Sequence, residues 1–379
     1  MNKPIVIVIC GPTASGKTAL SIELAEKING EIVSADSMQI YKDMNIGTAK
    51  PTVEEMKDIK HYLIDCVSPS VRYSVADFKR DAIYAIEEII KKGKTPIVVG
   101  GTGLYIDSLI YGIEYNEMQV DLEYRNELEK IAEEKGLEYL YNLAEKIDKE
   151  AMKKISKNDK KRIFRVLEIY KSTGKTKTEL ELESRQKKVK YNFKVFAINM
   201  DRDVLYDRIN KRVDIMINDG LIDEVKNLID KYDEIPTAMQ GLGYKEVVEY
   251  FQGKYSKEDM IEKIKMESRR YAKRQLTWFR RNKNILWLDA SKNINENTDI
   301  ILEEIRWRNY RKEKFRKEKY FKNNSNYSRT YYFIVFNSLI SKFNKETNRN
   351  ICCWKGENLS GRICRRIYYK KWKYYKYRR

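Results

Sequence analysis

The chain of 379 residues has one histidine, six prolines and five cysteines. Each scarcity removes a class of protein. A single His61, with no Cys/His spacing around it, excludes a zinc site built from protein ligands. Cys10 and Cys66 stand far apart and the other three cysteines lie beyond residue 311, so no disulfide framework is expected. A reducing, cytoplasmic setting follows, with Cys10 and Cys66 as small buried residues. Six prolines and 17 glycines exclude collagen-like and proline-rich chains. No apolar run reaches the roughly 18 residues of a membrane span. The apolar start, Ile5 to Ile9, runs into a glycine loop instead of a small-residue cleavage site, so it reads as a strand and not a signal peptide.

Charge, in contrast, is plentiful. There are 75 Lys+Arg against 56 Asp+Glu, a net +19, which favours a polyanionic partner. The excess is uneven. Residues 311–379 hold 21 Lys+Arg and 4 Glu, a net +17, and no Asp, Ala, Pro, Met, Gln or His. Residues 1–310 hold 54 Lys+Arg and 52 Asp+Glu, a net +2. Two readings of the tail compete: a basic, aromatic extension that contacts RNA, and a stretch translated out of frame from AT-rich DNA. The second is favoured, because no helical or alternating period persists there.

The body reads as alternating strands and helices. Ile5 to Cys10 is a continuous β-branched run, as in a strand buried on both faces. Helical spacing of Leu20, Ile22, Leu24, Ala25 and Ile28 follows, then a strand at Ile32 to Ala35, a helix over Ala76 to Lys92 and a strand at Pro96 to Val99. This order predicts an α/β fold with a parallel sheet flanked by helices. From Asp121 to about Glu183 only charged helical segments appear, so an all-helical insertion is expected. Phe193 to Met200 resumes the sheet and a helix covers Val204 to Ile217. Ser256 and Asp259 mark the start of another helix, and Ile285 to Leu288 is the last strand. The expected divisions are 1–118 and 193–310 for the two parts of the core, 119–192 for the insertion and 311–379 for the tail.

Between the first strand and helix, Gly11, Pro12, Thr13, Ala14, Ser15, Gly16, Lys17 and Thr18 fit G-x-x-x-x-G-K-[ST]. Backbone N–H groups of such a loop turn onto phosphate oxygens, the helix N-terminus adds partial positive charge, Lys17 neutralises a phosphate and the Thr18 hydroxyl suits Mg2+. The sheet is therefore of the P-loop NTPase-like kind. A second Gly-Lys-Thr, at Gly174 to Thr176, is a decoy: position 169 is Ile and no strand precedes it. A phosphate loop usually means ATP or GTP, yet the strand ending Val98-Val99-Gly100-Gly101 offers no carboxylate for the metal of a nucleotidase. The nearest acid is Asp36, at the ligand-binding edge of an open sheet. It can act as a base toward a substrate, or merely cap a turn. Arg269, Arg270, Lys273, Arg274, Arg280 and Arg281 cluster with no acid among them. They make two adjacent helix stripes suited to a phosphate backbone. Trp278 and Phe279 read as core.

Gly11 to Thr18, Asp36 to Tyr41, Ile46 to Pro51, Tyr73 to Phe78, Gly100 to Tyr105, Gly241 to Tyr244 and Lys273 to Arg280 together resemble the tRNA dimethylallyltransferase (tRNA isopentenyltransferase) family, in the family's order, over about residues 4 to 290. The resemblance implies transfer of a dimethylallyl group from its pyrophosphate to N6 of adenine 37 in tRNA, by a monomer. The phosphate loop would then grip a pyrophosphate leaving group and not ATP. It also implies Asp36 as general base, Thr13 beside the reacting groups, and Arg212 on the pyrophosphate with Arg208 as the alternative. The tRNA contacts it implies are Asp36, Ser37, Met38 and Gln39 around the adenine, with Thr102 and Arg125. In the insertion, a domain for the anticodon stem-loop, they are Lys161, Arg162 and Arg165, although the family commonly has Gln at the position of Lys161. Gly241, Gly243, Tyr244, Lys273, Arg274, Gln275, Thr277, Trp278 and Arg280 complete the set. Two other functions fit parts of the pattern: a small-molecule kinase using ATP, and a noncatalytic RNA-binding protein with a relic loop.

Overall fold

The computed structural model describes residues 3–113, 121–186 and 189–305; the basic tail and its three cysteines lie outside the described residues. Strand β1 (Ile5–Cys10) shows why a continuous apolar run was needed. Its even positions, Val6, Val8 and Cys10, enter one core and its odd positions, Ile7 and Ile9, enter another. Helix α1 (Lys17–Ile28) covers the odd face with Leu20, Leu24 and Ala25. After β2 (Gly30–Ser34) come the single turn α2 (Val53–Met56), β3 (His61–Tyr62) and α3 (Val75–Lys91). A capping box at Ser74 and Asp77 starts α3. Its residues Phe78, Ala82, Ala85, Ile86 and Ile89 bury one stripe against the even face of β1. β4 (Thr95–Gly100) and α4 (Gly103–Ile110) complete the first half.

Residues 122–186 supply helices and no strand. These are α5 (Leu122–Lys135), α6 (Leu137–Ile147), α7 (Lys149–Met152), α8 (Lys160–Thr173) and α9 (Lys177–Gln186). They have a core of their own around Leu128, Leu140, Ala144, Ile163, Phe164 and Leu167. The decoy Gly174 merely ends α8 in the left-handed conformation, at φ 67°. The sheet resumes with β5 (Asn192–Asn199), and α10 (Arg202–Asn218), α11 (Leu221–Lys231), α12 (Tyr244–Phe251) and α13 (Lys257–Phe279) follow. Ser256 caps α13 as its S-x-x-D pattern predicts, although Asp259 accepts from the Ser256 hydroxyl and not from its backbone N–H. β6 (Leu286–Asp289) is the last strand, and the helical residues 294–305 return Ile301 to the α1 side of the sheet.

Among the described residues the strands form one parallel sheet in the order β3-β2-β4-β1-β5-β6. The register puts Cys10 beside Gly100, and Ser34 beside Val99. β1, β4 and β2 therefore end level, and the segments leaving them emerge side by side on one edge. β3 escapes a reading by periodicity because it has two residues, too few to show a period.

Candidate functional site

The phosphate loop leaves β1 through Gly11, Ala14 and Gly16, at φ 145°, 61° and 88°. Glycine meets this need without strain; Ala14 meets it with its methyl buried against Leu205 and Ile209 of α10 and Ala272 of α13. Pro12 gives its carbonyl to the Ser15 hydroxyl at 2.8 Å and to the Lys17 ammonium at 2.6 Å. Lys17 is partly exposed along its stem but its charged end is enclosed by protein. That burial lowers its pKa to about 8; nearby Asp36 opposes the shift and Arg212 adds to it. Burial likewise lowers the pKa of Arg212. So α10 brings Arg212 into electrostatic reach of Lys17, whereas Arg208, a turn earlier, is exposed. Thr18 is exposed in the first turn of α1.

Asp36 follows β2 and caps the turn after it. Oδ1 accepts the backbone N–H groups of Met38 at 2.9 Å and Gln39 at 3.3 Å, as a turn cap. Oδ2 has no hydrogen-bond partner among the described residues. The cap thus fixes the carboxylate plane and leaves one oxygen as an acceptor. Thr102 stands at the N-cap of α4 but does not cap it. Its hydroxyl accepts the Ser37 backbone N–H at 3.1 Å and bonds the Ser37 hydroxyl at 3.4 Å, so it braces the Asp36 turn. A β-carbon at Gly100 would stand 2.1 Å from the Ala35 carbonyl oxygen, and one at Gly103 would stand 2.4 Å from the Trp278 ring. The glycines of this loop are needed for close approach.

Several residues expected to contact RNA also make contacts inside the protein. Tyr244 is fully buried; its hydroxyl donates to Glu224 at 2.5 Å. Gly241 lies against Met38, with no room for a side chain, and Gly243 opens α12 with its N–H on Glu246 at 2.8 Å. Gln39 donates its amide to the carbonyls of Thr48 and Ala49, at 3.2 and 3.1 Å. Gln275 is buried, accepting from Thr13 N–H and donating to Gly101 O. Trp278 packs into the core beside α4 and donates its indole N–H to Asp107 at 2.9 Å. Arg125 lies 3.0 Å from the nearly buried carboxylate of Glu168, which Arg165 also approaches, at 3.6 Å. Arg269 and Arg270 are engaged with Asn210 and Glu267, each at 2.6 Å, because acids and amides just outside the basic cluster reach into it. Cys66 is exposed, not buried, while Cys10 is buried with its thiol pushed up to about 12 by desolvation.

Lys161, Arg162, Lys273, Arg274, Thr277 and Arg280 do face outward. Tyr271 was missed by sequence reasoning. Burial and the nearby Asp36 raise its phenol to about 12, while hydrogen bonding to Thr102 and Gln275 opposes the rise. A signal was available: Tyr271, Gln275 and Trp278 fall at i, i+4 and i+7, a helix face opposite Lys273, with Arg274 at its edge.

A phosphate loop at the end of one parallel strand, a half-free carboxylate at the end of another and a basic helix beside both belong to a P-loop-like α/β fold. The family model described as "IPP transferase" matches residues 39–282. A tRNA dimethylallyltransferase of Acetivibrio thermocellus is 54% identical over 285 residues, covering 75% of this chain and 91% of that protein. The crystal structure of the full-length tRNA isopentenylpyrophosphate transferase of Bacillus halodurans is 41% identical, with a TM-score of 0.62 and coverage of 83% of this chain and 100% of that one. A eukaryotic dimethylallyltransferase caught acting on tRNA is 33% identical, with a TM-score of 0.62 and coverage of 76% and 74%. The chain belongs to the IPP transferase family and is an enzyme of that family. No helix of the described residues is long and apolar enough to cross a membrane.

Proposed function

We propose that this enzyme is a tRNA dimethylallyltransferase that moves a dimethylallyl group from dimethylallyl pyrophosphate to N6 of adenine 37, in the anticodon loop of tRNA. The observation that carries this reading is Asp36. One carboxylate oxygen is held by the turn and the other is free, on the same sheet edge as the phosphate loop. The exocyclic amine of adenine is a weak nucleophile because its lone pair is delocalised into the ring. Asp36 Oδ2 accepts an N6 proton as the N6–C bond forms and the C–O bond to pyrophosphate breaks. General-base help of this kind is worth about 10²–10⁴-fold. Negative charge grows on the departing pyrophosphate, and Lys17, Arg212 and the loop amides stabilise it.

The residues fit a Mg2+ ion held mainly by substrate. Mg2+ keeps several waters and takes one or two protein oxygens plus phosphate oxygens, and the exposed Thr18 hydroxyl is such a donor. When bound, the ion neutralises pyrophosphate charge. An anticodon loop supplies an unpaired adenine that can leave its stack, and the exposed cations of α13 suit its backbone.

The test is the full chain with dimethylallyl pyrophosphate, Mg2+ and unmodified tRNA, followed by nucleoside analysis. N6-dimethylallyladenosine is expected from the wild type. Asp36→Ala should lose transfer by about 10²-fold or more and keep tRNA binding. Near-normal transfer by Asp36→Ala would overturn the assigned base, and tight ATP binding without affinity for dimethylallyl pyrophosphate would favour a kinase.

A further inference from the structure

Gln275 follows two cations that face outward on α13, Lys273 and Arg274, and its own side chain is buried in the protein. Its amide makes two hydrogen bonds to two different loops. Oε1 accepts the backbone N–H of Thr13 in the phosphate loop at 2.9 Å, across 262 residues of sequence. Nε2 donates to the carbonyl of Gly101 at 3.0 Å, across 174 residues. The orientation of the amide is fixed by its partners, since a backbone N–H can only donate and a carbonyl can only accept. The fit is also close: a β-carbon at position 101 would stand 2.2 Å from Nε2. Gly101 is followed by Thr102, whose hydroxyl braces the Asp36 turn.

We infer that Gln275 is a positioning residue that sets the distance between the donor half of the site, at Thr13, and the acceptor half, at Gly101, Thr102 and Asp36. The inference rests on the dimethylallyl-transfer reading for the meaning of those two halves, but its geometry does not. In this arrangement one helix does two things. Its outer face carries cations for a polynucleotide backbone, and its inner face registers the two loops that must bring reacting atoms together. Binding of RNA to the outer face then steadies the element that spaces the reactants. This differs from an RNA contact by Gln275, because both polar ends of the amide already have backbone partners.

Misplacing reactants by about 1 Å can cost on the order of 10²-fold in rate. Gln275→Met keeps the length and loses both bonds. With the full chain, kcat for transfer should fall about 10–100-fold while the tRNA Kd changes by less than about threefold. Gln275→Glu gives a second reading. A protonated carboxyl can accept from Thr13 and donate to Gly101, whereas a carboxylate sets like partial charges against the Gly101 carbonyl. Relative to wild type, its kcat should therefore recover as the pH is lowered, a profile that loss of packing alone would not produce. A third measurement does not depend on the reaction: exchange of the Thr13 amide proton should speed up in Gln275→Met, which has no acceptor for it, and not in Gln275→Glu, whose carboxylate still accepts it. The inference is overturned if kcat of Gln275→Met stays within about twofold of wild type, if its loss lies wholly in tRNA affinity, or if its Thr13 exchange is unchanged. Absence of transfer by the wild type would instead sink the proposed reaction, and the Thr13 exchange result would still decide the role of Gln275.

Discussion

Helices α8 and α13 are both basic, and the surroundings of their cations differ. On α8, Lys160 pairs with Glu129, Arg162 with Asp159 at 3.4 Å, and Arg165 shares Glu168 with Arg125. On α13 the first half behaves similarly: Lys265 pairs with Asp214 and Glu262, and Arg270 with Glu267. Past residue 272 the pattern stops. Lys273, Arg274, Arg280 and Arg281 have no carboxylate partner among the described residues. Arg274 lies over the Tyr271 ring at 5.7 Å, and Arg281 over Trp278 at 5.2 Å. Aromatic faces hold these guanidinium groups in place without neutralising them. The same residue type is therefore mostly paired on α8 and in the first half of α13, and available past residue 272. Six cations that sequence counting treats alike divide into two that are engaged and four that are not.

The comparison can be broken by mutation. The largest effect is expected from reversing two free charges together. Lys273→Glu with Arg274→Glu should weaken tRNA binding by about 10²-fold or more at low salt, and should flatten the salt dependence by about one unit of slope for each cation removed. Filter binding over a range of KCl checks this, and an unchanged slope would remove α13 from the RNA surface. The next effect concerns α8. Arg125→Ala leaves a nearly buried Glu168 with one poorer partner, so it should cost about 1–2 kcal/mol of stability, discounted for the partial exposure of the arginine. Denaturant melts would show it, with tRNA affinity changed less than by the α13 pair. Equal losses in affinity would erase the distinction between the helices.

Lys17 is a third kind of cation, enclosed and depressed to about 8. Between pH 8 and the ordinary lysine value of 10.5 the unfolded chain binds the proton that the folded chain has released, so this group makes stability rise with pH across that window. Pyrophosphate favours the charged form. Donor binding above pH 8 should therefore take up a proton, and affinity should fall by up to about tenfold per pH unit. Calorimetry in buffers of different ionisation enthalpy measures that uptake. The smallest effect is expected from ending the chain at residue 310, which removes a net +17 and should leave transfer nearly unchanged. Complete loss would return the RNA surface to the tail.

What could be read in advance follows physical range. Buried strands announce themselves by runs such as Ile5 to Cys10, and the phosphate loop by fixed glycine spacing, because both depend on neighbours in sequence. Asp36 was legible as an acid at the right edge and as a candidate turn cap, but not that the cap uses one oxygen and leaves the other without a partner. The pairing of Arg125 with Glu168 depends on how α5 meets α8, and the burial of Tyr244 depends on α11 and the loop before it. Motif matching puts Tyr244 and Gln275 with the RNA contacts because a motif records which residues matter together, not which way they face.

Glu224 has a consequence for how the molecule comes apart. Its carboxylate takes the N–H groups of Asn45, Ile46 and Gly47, at 2.8, 2.8 and 3.1 Å, as well as the Tyr244 hydroxyl. The segment it holds runs on to Thr48 and Ala49, whose carbonyls anchor Gln39. One side chain on α11 therefore latches the segment that anchors Gln39, three residues past Asp36. Damage at that latch is expected to show first as a protease cut near residues 45–49 with the sheet still intact, so the Asp36 turn loses its support before the molecule unfolds.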